Sequence, residues 1–221
     1  MWDFWQMFLG ILFPPVCVEC RQTLQNGLLC AKCRRKLEEV RILQPSAYGC
    51  PDIAGICLLF RYEDGIKTAL HEVKFHQRKN IMQAMSQEMM IIEAPHSVAE
   101  LWHLPKDTVV MPVPTDCQRV KQRGYDVPRN IFHDWSLHEG FSWREGLARI
   151  RPTSPQYGLN KRERRKNVKD CFAAVMDVKE ENVLLVDDIF TTGATVEEAA
   201  HILHRRGAKH IWVMAFAGGA D

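Results

Sequence analysis

The stretch VLLVDDIFTTGATVEEAA, residues 183–200, joins an apolar run to a helical pattern through two acids and a threonine-rich turn. The apolar run predicts a buried strand, and the pattern behind the turn predicts a helix. In a parallel sheet, ligands bind outside the carboxyl ends of the strands, which is where Asp187 and Asp188 would stand. The stretch therefore predicts a ligand site at the edge of a sheet, with two carboxylates beside it.

The turn in this stretch has the features of an anion site. Thr195 and Glu198 fit a capping box, so we expect the helix to start close to Thr195. The turn at 189–194 would then present backbone N–H groups and threonine hydroxyls at a helix N-terminus, where phosphate binds well. Carboxylates next to it accept hydrogen bonds from sugar hydroxyls or help to hold water around Mg²⁺. These groups together predict a site for a ribose 5-phosphate.

Other kinds of site fit this stretch less well. An acidic pair after an apolar strand is also typical of receiver domains, but only 33 residues, 189–221, follow the pair. A strand–turn–helix with ordinary capping would leave the two neighbouring acids unexplained. The chain contains neither G-x-x-x-x-G-K-[ST] nor G-x-G-x-x-G, the patterns that indicate nucleoside triphosphate and dinucleotide sites. A sugar-phosphate site is therefore the preferred interpretation.

The rest of the chain alternates between strand and helix patterns. Apolar runs predict strands at 56–62, 108–114, 171–175, 182–188 and 209–217, with a further candidate at 141–150. Helical periodicity predicts helices at 63–76, 80–94 and 195–207, and the polar segment 152–167 predicts a loop. This alternation is typical of an α/β domain with a parallel sheet.

Four cysteines near the start of the chain have metal-ligand spacing. Cys17 and Cys20 form one C-x2-C pair, and Cys30 and Cys33 form a second pair, with nine residues between the two pairs. Two such pairs can place four thiolates around one ion in a tetrahedron, and this spacing is improbable for four unrelated buried cysteines. Because every position is cysteine, the pattern predicts a structural Zn²⁺ site with no open position for catalysis.

The remaining cysteines and histidines do not extend this pattern. Cys50 and Cys57 do not complete a second set of pairs, and Cys117 and Cys171 fit small buried or partly buried side chains. In HEVKFH, residues 71–76, the two histidines are five positions apart, which separates them by roughly 140° on a helix. The sequence therefore predicts an exposed helix at this point and not a zinc-protease motif.

Composition and the first residues bear on the location of the protein. The chain is 46% hydrophobic and 25% charged, which is ordinary for a globular protein. The opening MWDFWQMFLGILFPP has no Lys or Arg, and its apolar stretch is short for a bilayer. We expect it to form a short amphipathic helix, with no integral membrane segment. Without an export signal, the eight cysteines favour a reducing compartment and a cytoplasmic location over a disulfide scaffold.

Positive charge is concentrated in the segment 144–169. Nine Lys and Arg residues stand there against two acids, although the net charge of the chain is only +2. Such a run is most often a solvated face, but a local excess of this size also favours an anionic partner. Tyr157 beside it could stack on a base. The residues expected to contact nucleic acid are Arg162, Arg164, Arg165 and Lys166.

The stretch VLLVDDIFTTGAT, residues 183–195, closely resembles the phosphoribosyl-pyrophosphate loop of type I phosphoribosyltransferases along that whole signature. Together with LFPPVCVEC, the second C-x2-C pair, VKF at 73–75 and PVPTDCQRVKQRGYD at 112–126, it makes the chain resemble the ComF-family competence proteins. This resemblance implies a type I phosphoribosyltransferase-like parallel sheet flanked by helices at residues 51–221. It also implies a small N-terminal zinc-ribbon segment with four cysteine ligands at residues 1–50.

The resemblance implies a role for each part of the site. Asp187 and Asp188 would be the catalytic pair that binds the ribose hydroxyls of phosphoribosyl pyrophosphate. The 5-phosphate would bind to Thr191, Thr192, Gly193, Ala194 and Thr195. The residues that would face the pyrophosphate are Thr115, Asp116, Arg119 and Arg123. Mg²⁺ would bridge the pyrophosphate oxygens, and the segment 156–166 would be the mobile loop that closes over the site.

The family resemblance implies a role in DNA uptake. The protein would handle incoming single-stranded DNA, and a competence helicase is a candidate partner. The alternative is a phosphoribosyltransferase of nucleotide salvage or synthesis. No base-reading segment is recognisable, and the zinc-ribbon segment occupies the place where one could sit, which favours DNA handling. Whether ribose is transferred, and to which acceptor, stays open.

Overall fold

A computed structural model of the protein describes residues 14–154 and 158–219. The amphipathic helix expected at the start of the chain, Gln156 and Tyr157 lie outside the described residues. The strands of the described residues are β1 (Glu38–Leu43), β2 (Gly55–Arg61), β3 (Val109–Pro112), β4 (Ser142–Trp143), β5 (Leu147–Arg149), β6 (Phe172–Ala174), β7 (Asn182–Phe190) and β8 (His210–Gly218). Their α-helices are α1 (Ala31–Leu37), α2 (Asp64–Phe75), α3 (Lys79–Ile91), α4 (Ala94–Leu101), α5 (Cys117–Arg123), α6 (Val127–His138), α7 (Lys161–Val168) and α8 (Ala194–Arg205).

Six of the described strands form one sheet in the order β1-β2-β8-β7-β3-β4. All neighbouring pairs from β2 to β4 are parallel, and β1 is added antiparallel at the edge beside β2. Strands β5 and β6 form a separate antiparallel pair. Parallel neighbours need crossover connections, which the intervening helices supply. The predicted α/β class, with a mostly parallel sheet and flanking helices, is confirmed.

Helices cover both faces of this sheet because the central strands are apolar on both sides. Successive side chains of a strand point to opposite faces. In β7, Leu184 and Val186 pack into the core that contains α2, α3 and α6, whereas Val183 and Leu185 pack into the core that contains α7 and α8. The β7 strand is therefore held from all sides, which fixes the position of the acids that follow Val186.

Three local predictions are wrong. The segment 152–167, predicted as a loop, contains most of α7, in which Val168 is the one buried residue, so no apolar period announces the helix. The stretch predicted as one strand at 141–150 forms β4 and β5, which belong to different sheets. Thr195 is not the capping residue that was predicted, because the N-cap of α8 is Gly193, which adopts left-handed backbone geometry; the helix itself begins at Ala194, close to Thr195 as expected.

The four-cysteine segment packs onto the body of the protein. Cys17, Leu28 and Leu29 belong to the same apolar core as α2, α3 and one face of the sheet. Strand β1 continues this segment into the sheet by pairing with β2. The domain boundary at residue 50 stays a prediction. None of the helices in the described part of the chain is long and apolar enough to cross a membrane.

Candidate functional site

Strand β7 carries Asp187 and Asp188 to the carboxyl edge of the sheet. The strand continues to Phe190, and Asp187 pairs with Ala215 of β8. Asp187 is 9% exposed and Asp188 is 7% exposed. Loss of water penalises the charge of a carboxylate, so two adjacent buried acids require compensating partners.

The pKa of Asp187 shows how strongly this position is enclosed. Burial, and then the neighbouring charge of Asp188, raise the pKa of Asp187 to about 8, although Lys74 and the Asp188 N–H act in the opposite direction. The Asp188 N–H donates to Asp187 Oδ1 at 2.8 Å. Asp187 therefore keeps its proton to a higher pH than an exposed aspartate does. A protonated carboxyl donates one hydrogen bond and accepts others, which suits a sugar hydroxyl.

Lys74 provides the positive charge that compensates Asp188. Its Nζ lies 2.7 Å from Asp188 Oδ1, and both side chains are largely enclosed. Two hydrogen bonds hold the end of α2 that carries Lys74: Arg123 Nε donates to the Lys74 carbonyl, and the Tyr125 hydroxyl donates to the Val73 carbonyl, each at 2.7 Å. The segments VKF and QRGY, which the family resemblance singled out, are thus joined at the acidic pair.

Arginines bring further positive charge to the same edge. Arg123 is buried, which lowers its pKa, while the charge of Asp188 opposes this shift. Burial also lowers the pKa of Arg149, against the effects of Cys171 and Asp187. Arg149 donates to the Pro114 carbonyl at 3.1 Å and lies over the ring of Phe172 at 4.9 Å.

Arg149 was not predicted as a site residue from the sequence. It lies in the short strand β5, where its only signal is a charge inside the apolar pattern LARI. A guanidinium keeps its charge when it is buried, so Arg149 and Arg123 make the carboxyl edge of the sheet receptive to an anion.

The residues predicted to face the pyrophosphate lie around the start of α5. Asp116 caps this helix, since its Oδ1 accepts the N–H groups of Gln118 at 2.9 Å and Arg119 at 3.2 Å. Thr115 hydrogen-bonds to the side chain of Asp126, which in turn caps α6 by accepting the Arg129 N–H. Thr115 and Asp116 therefore shape the loop, and Arg119 and Arg123 supply its charge.

The turn predicted to bind the 5-phosphate is tight. Gly193 has a φ of +79°, and a Cβ at this position would lie 3.2 Å from both Cys50 Sγ and the ring of Phe190. A side chain would thus meet both unfavourable geometry and close neighbours, so glycine is required here. Thr192 Oγ1 is enclosed and has no hydrogen-bond partner in the described part of the chain. A buried hydroxyl without a partner is costly, and an oxygen of a bound ligand would remove this cost.

The residues predicted to contact nucleic acid are divided between two sides of α7. Arg162 and Lys166 are exposed. Arg164 Nη1 donates to Thr191 Oγ1 at 2.8 Å. This side chain therefore contacts the turn predicted to bind the 5-phosphate, Thr191 to Thr195, which we call the phosphate turn. Arg165 bonds to Glu197 Oε2 at 2.8 Å and to the Tyr48 carbonyl at 2.6 Å, which attaches α7 to α8.

The four cysteines of the two C-x2-C pairs come together as predicted. Their Sγ atoms all lie within 4.8 Å of one another, and Cys20 Sγ and Cys30 Sγ are 3.7 Å apart. Four sulfurs at the usual 2.3 Å from a tetrahedral Zn²⁺ would be separated by roughly 3.8 Å. The Cys33 N–H, which donates to Cys30 Sγ, is the main cause of a lowered pKa of about 7 for Cys30. The group can hold a metal ion.

Two acids attach this four-cysteine group to the helices of the larger sheet. Glu88 of α3 is fully buried and accepts the Leu28 N–H at 2.7 Å, and it also pairs with Arg34 of α1. Glu19, which lies between the first two cysteines, accepts the Gly65 N–H at 2.9 Å in the first turn of α2. The group is thus bonded to the helix whose far end carries Lys74.

The histidines of HEVKFH lie closer together than the helical angle suggested. His71, Glu72 and His76 place one ligand atom each within 4.8 Å of the others. His76 is the cap residue that follows Phe75, the last residue of α2, and its backbone is no longer helical. The spacing rule for a continuous helix therefore does not apply to it. All three remain on the surface, as predicted, and Glu72 also bonds to Arg78.

Comparison with known proteins shows what this chain is similar to. The family of the phosphoribosyl transferase domain matches residues 146–220, which include the acidic pair and the turn. The DNA utilization protein YhgH of Escherichia coli O157:H7 is 28% identical, with 90% of this chain and 95% of that protein covered. Competence protein F of Haemophilus influenzae is 24% identical, with 91% and 96% covered. Among solved structures, the allosteric regulatory enzyme of purine biosynthesis is 18% identical over 66% of this chain and 30% of that one, with a TM-score of 0.42.

The likenesses to these two bacterial proteins extend over nine tenths of the chain. The predicted resemblance is thereby confirmed: the chain is a homologue of DNA utilization protein YhgH and of competence protein F, and its phosphoribosyl transferase domain follows a four-cysteine group.

Proposed function

We propose that this protein serves DNA utilisation in the cytoplasm and that its sheet-edge site binds phosphoribosyl pyrophosphate with Mg²⁺. The observation that carries the proposal is the meeting of Asp187 and Asp188 with Lys74, Arg123 and Arg149 at one edge. A site with two acids and three cations matches a ligand that offers hydroxyls at its centre and phosphates at both ends. The full-length likeness to DNA utilization and competence proteins gives the biological setting.

The ligand would lie along the edge of the sheet. Asp187 and Asp188 would accept the ribose hydroxyls, and the turn from Thr191 to Thr195 would bind the 5-phosphate through backbone N–H groups and the unpaired hydroxyl of Thr192. Arg119 and Arg123 would face the pyrophosphate, beside the loop that Thr115 and Asp116 shape. When the ligand binds, Lys74 would break its ion pair with Asp188 and pair with an oxygen of the ligand. Before that, the ion pair holds the Lys74 ammonium group at the site, since both groups are enclosed.

The two metal ions have different roles in this proposal. Oxygen ligands such as the carboxylates of the acidic pair and their bound water suit Mg²⁺, which would neutralise the charge on the pyrophosphate. The thiolates of Cys17, Cys20, Cys30 and Cys33 suit Zn²⁺, which would hold the first segment of the chain together. Transfer of the ribose to an acceptor is no part of the proposal.

Single-stranded DNA is the proposed nucleic-acid ligand, and the exposed side of α7 is its proposed contact. Arg162 and Lys166 point to solvent there, next to the exposed Lys161 and Lys169. We expect binding without sequence preference, and affinity should fall with salt at a log–log slope of about −0.7 per neutralised phosphate. Arg162→Ala combined with Lys166→Ala should flatten this slope by roughly 1.4.

Fluorescence titration of labelled oligonucleotides at several salt concentrations measures this effect, with Lys209→Ala, a single exposed cation beyond the end of α8, as the control. In a transformable host, the double substitution should lower DNA uptake and leave growth without purines or pyrimidines unchanged. Absence of DNA binding at physiological salt, together with a nutritional defect on deletion, would instead indicate an enzyme of nucleotide salvage or synthesis.

A further inference from the structure

Arg164 lies where a nucleic-acid contact was predicted, but its bonds lead to the phosphate turn. Its Nη1 donates to Thr191 Oγ1 at 2.8 Å, and its Nε donates to the Leu159 carbonyl at 2.9 Å. These two bonds use part of a guanidinium that carries five N–H donors in a rigid fork. In the described part of the chain, Arg164 makes no ion pair with an acid, unlike its neighbour Arg165.

The position of Arg164 is set by α7 and its attachment to α8. A complete capping box between Asn160 and Glu163 fixes the start of α7. Arg165 then fastens the helix to Glu197 in the first turn of α8 and to the Tyr48 carbonyl. The helix α8 begins at Ala194, within the phosphate turn. Arg164 is therefore held beside this turn by contacts that do not depend on a ligand.

The hydrogen bond to Thr191 has a direction that matters for an incoming phosphate. Since Thr191 Oγ1 accepts from Arg164, its own hydrogen is available for another acceptor. A charged donor also polarises the hydroxyl and makes it a stronger donor in turn. The enclosed hydroxyl of Thr192 adds a second group that lacks an acceptor. Each hydroxyl thus has a hydrogen available for an anion at this turn, and the guanidinium supplies the neutralising charge.

We propose that Arg164 is a ligand of the 5-phosphate and not of DNA, so that α7 serves the sugar-phosphate site with one side and nucleic acid with the other. This inference rests on the proposed function of the turn. The guanidinium would bind one phosphate oxygen directly and orient Thr191 toward another. Arg162 and Lys166, on the exposed side of the same helix, would make no contact with the sugar phosphate.

The test uses ribose 5-phosphate, phosphoribosyl pyrophosphate and inorganic pyrophosphate, each titrated calorimetrically into the full chain with Mg²⁺. Arg164→Ala should weaken ribose 5-phosphate and phosphoribosyl pyrophosphate by about tenfold to a hundredfold, the usual effect of a lost charged hydrogen bond. Pyrophosphate, which lacks the 5-phosphate, should bind as it does to the wild type. Arg162→Ala is the matched control and should bind all three ligands normally.

A second variant keeps the test decisive if Arg164→Ala is poorly folded. Arg164→Gln retains an N–H donor for the Leu159 carbonyl but carries no charge, and it should show the same selective loss. Unchanged or tighter ribose 5-phosphate binding in a folded variant would overturn the inference, because Arg164 would then either be uninvolved or block the site. If the wild type binds neither sugar phosphate, the proposed function itself fails, and this outcome is distinct from the others.

Discussion

The fold changes the ionisation of Asp187, and this has a consequence for stability. An aspartate in an unfolded chain has a pKa of about 3.9, whereas burial and Asp188 raise the pKa of Asp187 to about 8. Between these pH values the folded chain keeps a proton that the unfolded chain has lost. The stability that Asp187 contributes is therefore present below pH 4 and is lost progressively as the pH rises to about 8.

Asp187→Asn removes this dependence, because an amide has no proton to lose in this range. The free energy of unfolding of the variant minus that of the wild type should therefore rise steadily from pH 5 to pH 8, by on the order of a few kcal/mol. Above pH 8 this difference should stay constant. Urea unfolding at each pH measures the difference directly. A difference between the two proteins that is the same at every pH would show that Asp187 is ionised in the fold.

At the scale of single elements, sequence patterns predicted the apolar strands and missed the polar helix. Strand β7 and its neighbours are apolar on both faces, so their composition alone announces them. Helix α7 has the sequence KRERRKNV, which offers no apolar period, and its stability comes from the Asn160–Glu163 box and the docking of Arg165. The Lys74–Asp188 pair is separated by 114 residues, and no local pattern can predict such a contact.

The four-cysteine group is the element whose stability depends on a metal. We expect one tightly bound Zn²⁺ per chain, and Cys30→Ser should abolish it because the thiolate and its helix-capping bond to Cys33 are both altered. Since the group shares its core with α2 and α3, the melting temperature should fall by roughly 10 °C in a single transition.

Elemental analysis and thermal unfolding measure these two effects. Cys117→Ser is the matched control, since this cysteine is exposed and lies outside the group; it should keep both the metal and the melting temperature. Wild-type protein without zinc, in a preparation never exposed to chelator, would contradict the expectation.

At the scale of the whole molecule, the sheet brings together groups from distant parts of the chain. Lys74 comes from α2, Arg123 from α5, Arg149 from β5 and the acidic pair from β7. Glu19 and Glu88 then connect α2 and α3 to the four-cysteine group. The family resemblance named most of these segments, but only the fold shows that a lysine, two arginines and two acids share one edge. This shared edge is the basis for the central claim that the protein binds a sugar phosphate.

Isothermal titration of phosphoribosyl pyrophosphate with Mg²⁺ into the full chain tests that claim most directly. We predict saturable binding at one site per chain, abolished by the double variant Asp187→Asn, Asp188→Asn, because the ribose hydroxyls lose their charged acceptor. Lys209→Ala, beyond the end of α8, should bind as the wild type does. No detectable binding to the wild type, or equal binding to the double variant, would contradict the account.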